Sequence, residues 1–141
     1  MQRYVRGRAA SVSLLANGDR AVPLAVNEQR VTAAPAFSYR GGVTPFDHPL
    51  AAAAGEAAAR ACASIPGLRG YVGVDLVLTD AGPVLIEVNP RLTMAYLGVR
   101  AAVNENVAAL ALAAACDGTL PAPPLLRRRA RFSAAGQVVS E

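Results

Sequence analysis

Asp75, Glu87 and Asn89 are the residues of this sequence whose types and spacing are best suited to chemistry. They supply two carboxylates and an amide oxygen within one short segment that contains no histidine or cysteine. Hard divalent cations such as Mg²⁺ prefer oxygen ligands, whereas Zn²⁺ is usually held by nitrogen and sulfur. A magnesium site with so few protein ligands usually completes its shell with water and substrate phosphates. The segment therefore predicts a Mg²⁺ site that also receives phosphate.

A β-hairpin would bring these side chains together. Tyr71 to Thr79 and Val84 to Asn89 are rich in β-branched and aliphatic residues, and Asp80-Ala81-Gly82 between them supplies a turn. A three-residue loop centred on Ala81 then fixes the register of the two strands. The predicted cross-strand pairs are Thr79 with Pro83, Val77 with Leu85, Asp75 with Glu87 and Gly73 with Asn89.

The predicted pairing of Asp75 with Glu87 places two negative charges side by side. Opposed side chains on one face of a sheet have Cβ atoms about 5 Å apart, and like charges there are destabilising unless one is protonated or a cation lies between them. A bound cation is one solution. The alternative is a surface hairpin whose solvated face carries acids without a function. Asn89 and Arg91, which follow the second acid around Pro90, favour the metal site.

The pattern Glu87-x-Asn89-x-Arg91, on a strand paired with Asp75, resembles the metal-binding hairpin of the ATP-grasp superfamily. This superfamily includes biotin carboxylase, D-alanine-D-alanine ligase and many carboxylate-amine ligases. The resemblance implies that Asp75, Glu87 and Asn89 hold Mg²⁺, with Mn²⁺ as an alternative ion, and that Asp75 and Glu87 thereby bind ATP. It also implies a catalytic role for Arg91 near the acyl phosphate or the phosphorylated intermediate.

The segments SVSLL, PLAVNEQ, FSYRGG and LTMAYLGVRAAVNEN look closest to the carboligase-like branch of this superfamily, which contains tyramine-glutamate ligase. The implied reaction is ATP-dependent ligation of a small-molecule carboxylate to an amine through an acyl phosphate. Two other functions stay open at this point. The chain could be a nucleotide-binding module without catalysis, or a structural module whose acids only line a solvated face.

The first residues, Met1 to Val5, resemble the hinge that meets the adenine of ATP, with backbone groups around Gln2 and Val5 at its edge. The family is known for phosphate-contacting lysines and a glycine-rich lid, but all fourteen basic residues of this chain are arginine. We therefore expect the carboxy-terminal half of a longer enzyme, with the amino-terminal and lid domains missing. On its own, the chain is expected to be inactive.

The remaining elements predict an α+β fold. Arg8 to Ala16 and Ala21 to Asn27 read as strands joined by an Asn17-Gly18 turn, and Leu50 to Ser64 and Asn104 to Cys116 read as helices. We expect an antiparallel sheet with flanking helices over residues 1–118, which matches the large carboxy-terminal lobe of an ATP-grasp fold.

Two further segments carry expectations. Phe37 to Arg40 is predicted to be a short strand that ends in a loop at Gly41-Gly42. Residues 119–141 are rich in proline and arginine and are predicted to form a flexible tail.

Composition narrows the function classes. Hydrophobic residues make up 53% of the chain, but no run approaches the roughly 20 apolar residues of a membrane span. Basic residues cluster only in the tail and without aromatic neighbours, which does not favour nucleic-acid binding. The cysteines Cys62 and Cys116 have no partner spacing and suit buried thiols in a reducing cytoplasm. No nucleic-acid or membrane partner is expected.

Overall fold

The computed structural model describes residues 4–32, 36–123 and 126–141. Within them the chain is α+β, as predicted. The elements, in chain order, are β1 (Arg8–Asn17), β2 (Ala21–Thr32), β3 (Ser38–Thr44), α1 (Ala51–Ala63), β4 (Arg69–Thr79), β5 (Gly82–Asn89), α2 (Ala95–Ala102), α3 (Val107–Cys116), β6 (Ala130–Ser133) and β7 (Val138–Ser140).

The strands form one seven-stranded sheet in the order β5-β4-β1-β2-β3-β6-β7. Every neighbouring pair is antiparallel. The predicted hairpin is β4 and β5, and β4 lies beside β1 from the start of the chain. This neighbour, which the hairpin's own sequence does not specify, places polar residues of β1 and β2 next to the predicted metal ligands.

Side chains alternate between the two faces of the sheet, and the faces have different chemistry. One face packs against α1 and forms an apolar core from Ala10, Val12, Leu14, Ala16, Val72, Val74, Leu76 and Leu78 with Ala54, Ala58 and Cys62. The other face carries a second apolar cluster toward α2 and α3, made of Leu15, Leu24, Ala25, Tyr71, Val99, Val103, Val107 and Ala114. The predicted site occupies the polar remainder of this second face.

Strand β3 differs from the prediction, because it continues through Gly41 and Gly42 to Thr44 instead of ending there. Both glycines pair with β2 on one side and β6 on the other. A Cβ on Gly42 would lie 2.2 Å from the Glu28 carbonyl oxygen and 2.7 Å from the Phe132 ring. These glycines therefore allow close packing between neighbouring strands.

The prediction of a flexible tail over residues 119–141 is wrong for the residues that form β6 and β7. Strand β6 pairs with β3, from Gly41 with Ser133 to Thr44 with Ala130. Phe132 is buried, and Arg131 forms an ion pair with Glu141. The sheet thus extends past residue 118, because the tail covers the exposed edge of β3.

The helices agree with the sequence in part. The predicted helix from Leu50 to Ser64 is α1, and the predicted helix up to Cys116 is α3, which begins after Asn106 instead of near Asn104. The Asn106 side chain accepts a hydrogen bond from the Ala109 N–H at 3.1 Å and so caps α3. Helix α2 was not predicted.

Among the helices that the structure describes, none alone is long and apolar enough to cross a bilayer. Helices α2 and α3, bent by 110° at the break between them, pass that test of length and composition only as a pair.

Candidate metal and phosphate site

Asp75 and Glu87 are direct partners across β4 and β5, and Gly73 is the partner of Asn89, as the sequence predicts. Nearer the turn the predicted register is wrong. The loop contains two residues, so that Thr79 pairs with Gly82, and a β-bulge at Ile86 of β5, opposite the step from Asp75 to Leu76, restores the register at the site. The short turn is supported by the Thr79 hydroxyl, which donates to the Gly82 carbonyl at 2.8 Å.

A row of polar residues crosses four strands at the level of the two acids. Ser11 of β1 pairs with Asp75 on one side and with Asn27 of β2 on the other. Directly paired residues point to the same face of a sheet. Glu87, Asp75, Ser11 and Asn27 therefore line one face, and the carboxylates lie at the end of the row toward the β5 edge.

The inner end of this row is buried and hydrogen-bonded. The Asn27 amide nitrogen donates to the Ser13 hydroxyl at 3.1 Å, and the Thr44 hydroxyl donates to the Asn27 amide oxygen at 2.6 Å. The Tyr71 hydroxyl donates to the Ser13 hydroxyl at 2.7 Å, and burial raises the pKa of Tyr71 to about 12. Because Asn27, Ser13, Thr44 and Tyr71 all have partners, this network fixes the strands that support the site.

Asp75 is half-buried, and amide groups bind both of its oxygens. The Gln29 nitrogen Nε2 donates to Asp75 Oδ1 at 2.8 Å, and Asn89 Nδ2 donates to Asp75 Oδ2 at 3.3 Å. Burial raises the pKa of Asp75 above its ordinary value, and the negative charge of Glu87 adds to this increase. The hydrogen bonds from Gln29 and Asn89 and the positive charge of Arg91 act in the opposite direction. The site therefore favours a cation that would offset the two carboxylates.

Arg91 lies at the exit of β5, and its guanidinium donates to the Asn89 amide oxygen at 3.2 Å. The segment that follows lies directly on the sheet because Gly73 has no side chain. A Cβ on Gly73 would lie 2.4 Å from the Thr93 methyl group. Gly73 therefore allows the segment that carries Arg91 to lie close to Asp75.

These side chains line a cavity of about 240 Å³ whose walls include Ser11, Gln29, Tyr39, Asp75, Asn89, Arg91 and Thr93. Tyr39 is half-buried there. Burial, and to a smaller degree the negative charge of Asp75, raises the pKa of Tyr39 to about 12, so its phenol stays neutral at physiological pH.

The oxygen donors in and beside this cavity fit a hard divalent cation by their chemistry. Asp75 and Asn89 line the cavity, and Glu87, which pairs with Asp75, is exposed beside it. Carboxylate and amide oxygens suit such an ion, and the neutral phenol of Tyr39 adds no charge. In the part of the chain that the structure describes, no three His, Cys, Asp or Glu side chains form a metal-binding cluster. The Asn89 amide donates from its nitrogen to Asp75 and accepts from Arg91 at its oxygen, so as a metal ligand it would turn that oxygen toward the ion.

A second cavity, of about 480 Å³, lies beside the first and is lined by Val5, Arg8, Glu28, Gln29 and Phe37, among others. Val5, a predicted adenine contact, lies in its wall, whereas Gln2, the other predicted contact, lies outside the described residues. Glu28 forms an ion pair with Arg8 at 2.6 Å. The cavity thus combines apolar surface with paired charges.

Gln29, Ser11 and Tyr39 are the residues of the site that the sequence reasoning did not identify. They come from β1, β2 and β3, far from the hairpin in the sequence. Alternation along β2 could have predicted Gln29. Asn27 and Gln29 are two residues apart, so their side chains point to the same face of the sheet, which is also the face of Ser11.

The amino-terminal two thirds of the chain match a known family. Residues 1–95 match the model of an ATP-grasp domain. This chain belongs to the ATP-grasp family. The cavity walls and the hairpin up to Thr93 all fall within the matched residues, so the site described above is part of the ATP-grasp domain.

Two individual proteins are similar to this chain in sequence. Tyramine–L-glutamate ligase of Methanocaldococcus jannaschii is 34% identical over 110 residues, which cover 78% of this chain and 34% of that protein. Carnosine synthase 1 of Homo sapiens is 33% identical over 99 residues, which cover 69% of this chain and 12% of that protein.

A solved structure of an ATP-grasp superfamily protein from Archaeoglobus fulgidus has a TM-score of 0.70 and 32% identity. That match covers 99% of this chain and 46% of the other chain. The chain therefore spans about a third of the length of the tyramine–L-glutamate ligase and under half of the solved structure.

Proposed function

We propose that this chain is the ATP- and metal-binding part of an ATP-grasp ligase that joins a small-molecule carboxylate to an amine. The observation that carries the proposal is the direct pairing of Asp75 with Glu87, with Asn89 and Arg91 at the exit of the same hairpin. Two acids in this position are unfavourable without a cation. The names of the relatives, a tyramine–L-glutamate ligase and a carnosine synthase, favour carboxylate-amine ligation.

Asp75, Glu87 and Asn89 are the residues that would hold Mg²⁺ or Mn²⁺. When bound, such an ion neutralises charge on the ATP phosphates and orients them. The protein's own contribution is to hold the two carboxylates on one face of a rigid sheet. The paired strands and the buried network around Asn27 support that geometry.

Arg91 is the residue that we assign to the reacting groups. The substrate carboxylate attacks the γ-phosphate of ATP to form an acyl phosphate and ADP, and the amine then displaces phosphate to form the amide. Negative charge on the transferred phosphoryl group is stabilised by a planar guanidinium that offers two N–H donors at once. Arg91 is exposed and lines the smaller cavity together with Asp75, where such a group would be in reach.

The larger cavity is our proposed position for the nucleoside of ATP. Its volume of about 480 Å³ lies in the range of small-molecule sites, and Val5 lies in its wall. Gln29 lines both this cavity and the smaller one, so a triphosphate could extend from one to the other. Gln2 stays a predicted contact.

A metal and nucleotide titration tests the proposal. Mn²⁺ binding is measured by electron paramagnetic resonance in the presence of ATP, in the full-length protein and in Asp75→Asn and Glu87→Gln variants. We expect each variant to weaken Mn²⁺ binding by at least tenfold. Asp80→Asn is the matched control, because Asp80 is an exposed acid in the turn of the same hairpin and should leave binding unchanged. Equal Mn²⁺ affinity in all four proteins would refute the metal site.

Ligation is tested separately by release of ADP when carboxylate and amine substrates are supplied together. ADP release that requires both substrates supports the ligase. ATP and Mn²⁺ binding without ADP release, over a broad panel of carboxylates and amines, would support the alternative, a nucleotide-binding module without catalysis. This alternative is tested because the chain contains no lysine, whereas the family is known for phosphate-contacting lysines.

A further inference from the structure

Among the residues that the structure describes, Gln29 makes the shortest hydrogen bond to either acid of the proposed metal site, although it comes from a different hairpin. Its amide nitrogen lies 2.8 Å from Asp75 Oδ1, compared with 3.3 Å for the Asn89 nitrogen on the other oxygen. The two residues are 46 positions apart in the chain. This contact exists only because β4 pairs with β1 and β1 with β2.

The reach of Gln29 depends on Ser11, which lies on the strand between them. Strands that are second neighbours in a sheet lie about 9 to 10 Å apart. The Gln29 side chain on β2 must therefore extend across β1 to reach Asp75 on β4. Ser11 is small and buried, and it pairs with Asp75 directly. A larger residue at this position would block the path from Gln29 to the carboxylate.

The chemistry of the contact fixes its direction. An ionised carboxylate only accepts hydrogen bonds, so Gln29 must present its NH₂ group to Asp75. The two amides occupy one acceptor position on each Asp75 oxygen, and when Asn89 turns its oxygen to a metal ion, Gln29 remains to orient the carboxylate. Further acceptor positions on both oxygens stay open, because a carboxylate has about four.

The neutrality of Gln29 also matters. A lysine or arginine here would form an ion pair with Asp75 and would compete with a divalent cation for the carboxylate. A glutamate would add a third negative charge to Asp75 and Glu87. A glutamine orients Asp75 and leaves its charge available. Gln29 also lines both cavities, so it lies beside the path that we propose for the triphosphate.

We propose that Gln29 is a positioning residue that holds the Asp75 carboxylate in the orientation required for divalent-metal binding. This inference rests on the proposed function, since it assumes that Asp75 is a metal ligand. Residues that orient metal ligands typically contribute a factor of about 10 to 100 to metal affinity. Gln29 acts through Asp75 and is not assigned a contact with the reacting atoms.

The test measures the Mn²⁺ dissociation constant by electron paramagnetic resonance in the full-length protein. Gln29→Leu keeps most of the volume but removes the donor, and we expect Mn²⁺ binding to weaken by about 10-fold or more. Gln137→Leu is the matched control, because Gln137 is exposed in the β6–β7 turn and should leave the dissociation constant unchanged. Thermal unfolding is recorded for each protein. If Gln29→Leu does not fold, Gln29→Asn, which is too short to reach Asp75, replaces it.

A double-mutant cycle separates positioning from a general structural role. In an Asp75→Asn background the acceptor charge is gone, so Gln29→Leu should change Mn²⁺ affinity by less than about twofold. Equal losses with and without the Asp75 carboxylate would overturn the proposal. So would unchanged Mn²⁺ binding in folded Gln29→Leu while Asp75→Asn binds weakly, and in that case the metal site itself would stand. Unchanged binding in Asp75→Asn would instead refute the proposed function.

Discussion

The two faces of the sheet are built from the same strands, but at the level of Asp75 they carry opposite chemistry. Along β1, residues that face α1 are Ala10, Val12, Leu14 and Ala16, whereas Ser11 and Ser13 between them face the proposed site. Along β4, Val74 and Leu76 pack on the α1 side, and Asp75 between them faces the other way. Alternation with a period of two residues therefore separates a stabilising face from a chemical face.

The difference shows how the site tolerates buried polar groups. Apolar side chains on the α1 face contribute stability by leaving water, at about 25 cal/mol per Å². On the opposite face, Asn27 and Ser13 are fully buried and depend on mutual hydrogen bonds to offset their loss of hydration. Changes on the α1 face and in this buried network should therefore affect folding, whereas changes to the polar residues that line the cavity should affect binding and catalysis first.

The largest expected effect is on the α1 face. Leu14 is fully buried in the apolar core, so Leu14→Ala should reduce the free energy of unfolding by about 3 to 4 kcal/mol, through lost burial and the cavity that remains. Chemical denaturation measures this change. Leu112→Ala is the control, because Leu112 on α3 is 65% exposed and should cost less than about 0.5 kcal/mol. Similar losses in both variants would contradict the division of roles between core and surface.

The next effect is on the site face. Arg91→Lys keeps the positive charge but loses the planar fork, so kcat should fall by about 100-fold, equivalent to about 2.7 kcal/mol of activation free energy. ATP affinity and thermal stability should change little. Steady-state kinetics of the full-length protein measure the loss, with Arg100→Lys, an exposed arginine on α2, as the matched control. An effect of Arg91→Lys confined to nucleotide binding would show that Arg91 is only a ground-state contact.

A third prediction uses pH to sharpen the contrast between the faces. Burial raises the pKa of Cys62, a residue of α1 that packs against this face of the sheet, from 9.0 to about 11. Between these values the unfolded chain loses the thiol proton before the folded chain does, so unfolding becomes easier as pH rises. Relative to Cys62→Ala, the wild type should lose roughly 2 kcal/mol of stability between about pH 9 and pH 11. Denaturation across this range measures the difference.

The matched comparison is Cys116→Ala. The sequence predicted a buried thiol here as well, but Cys116 is exposed at the end of α3, so Cys116→Ala controls for the loss of a thiol outside the core. Identical pH profiles for wild type and Cys62→Ala would mean that water reaches the Cys62 thiol in the folded chain.

The smallest effect concerns the buried polar network. Thr44→Val removes the hydroxyl that donates to Asn27 at 2.6 Å and leaves the amide oxygen of Asn27 without this partner. We expect a loss of about 1 to 2 kcal/mol in the free energy of unfolding, with a smaller loss in metal affinity. Thr119→Val, at an exposed position, is the control. If Thr44→Val were neutral, the network would contribute little to the rigidity of the site.

The sequence predicted the parts of the site that depend on neighbours in the chain. Alternating β-branched residues around a short turn were sufficient for the β4–β5 hairpin and for the pairing of Asp75 with Glu87. The predicted loop was one residue too long, and the bulge at Ile86 of β5 cancelled the error at the site. A three-residue loop and a two-residue loop followed by a one-residue bulge differ little in energy. The periodicity of the two strands therefore does not distinguish these two arrangements.

Only the tertiary structure decided which strands became neighbours. The alternation of apolar and polar residues shows which face of β1 and of β4 is buried, but it does not specify which strand lies beside each of them. The neighbours are selected by packing of the whole sheet. That selection brought Gln29 to Asp75 across Ser11 and recruited residues 130–133 to the edge of β3, where a flexible tail was predicted. Local chemistry therefore determined the acids and their register, whereas long-range packing determined what holds them.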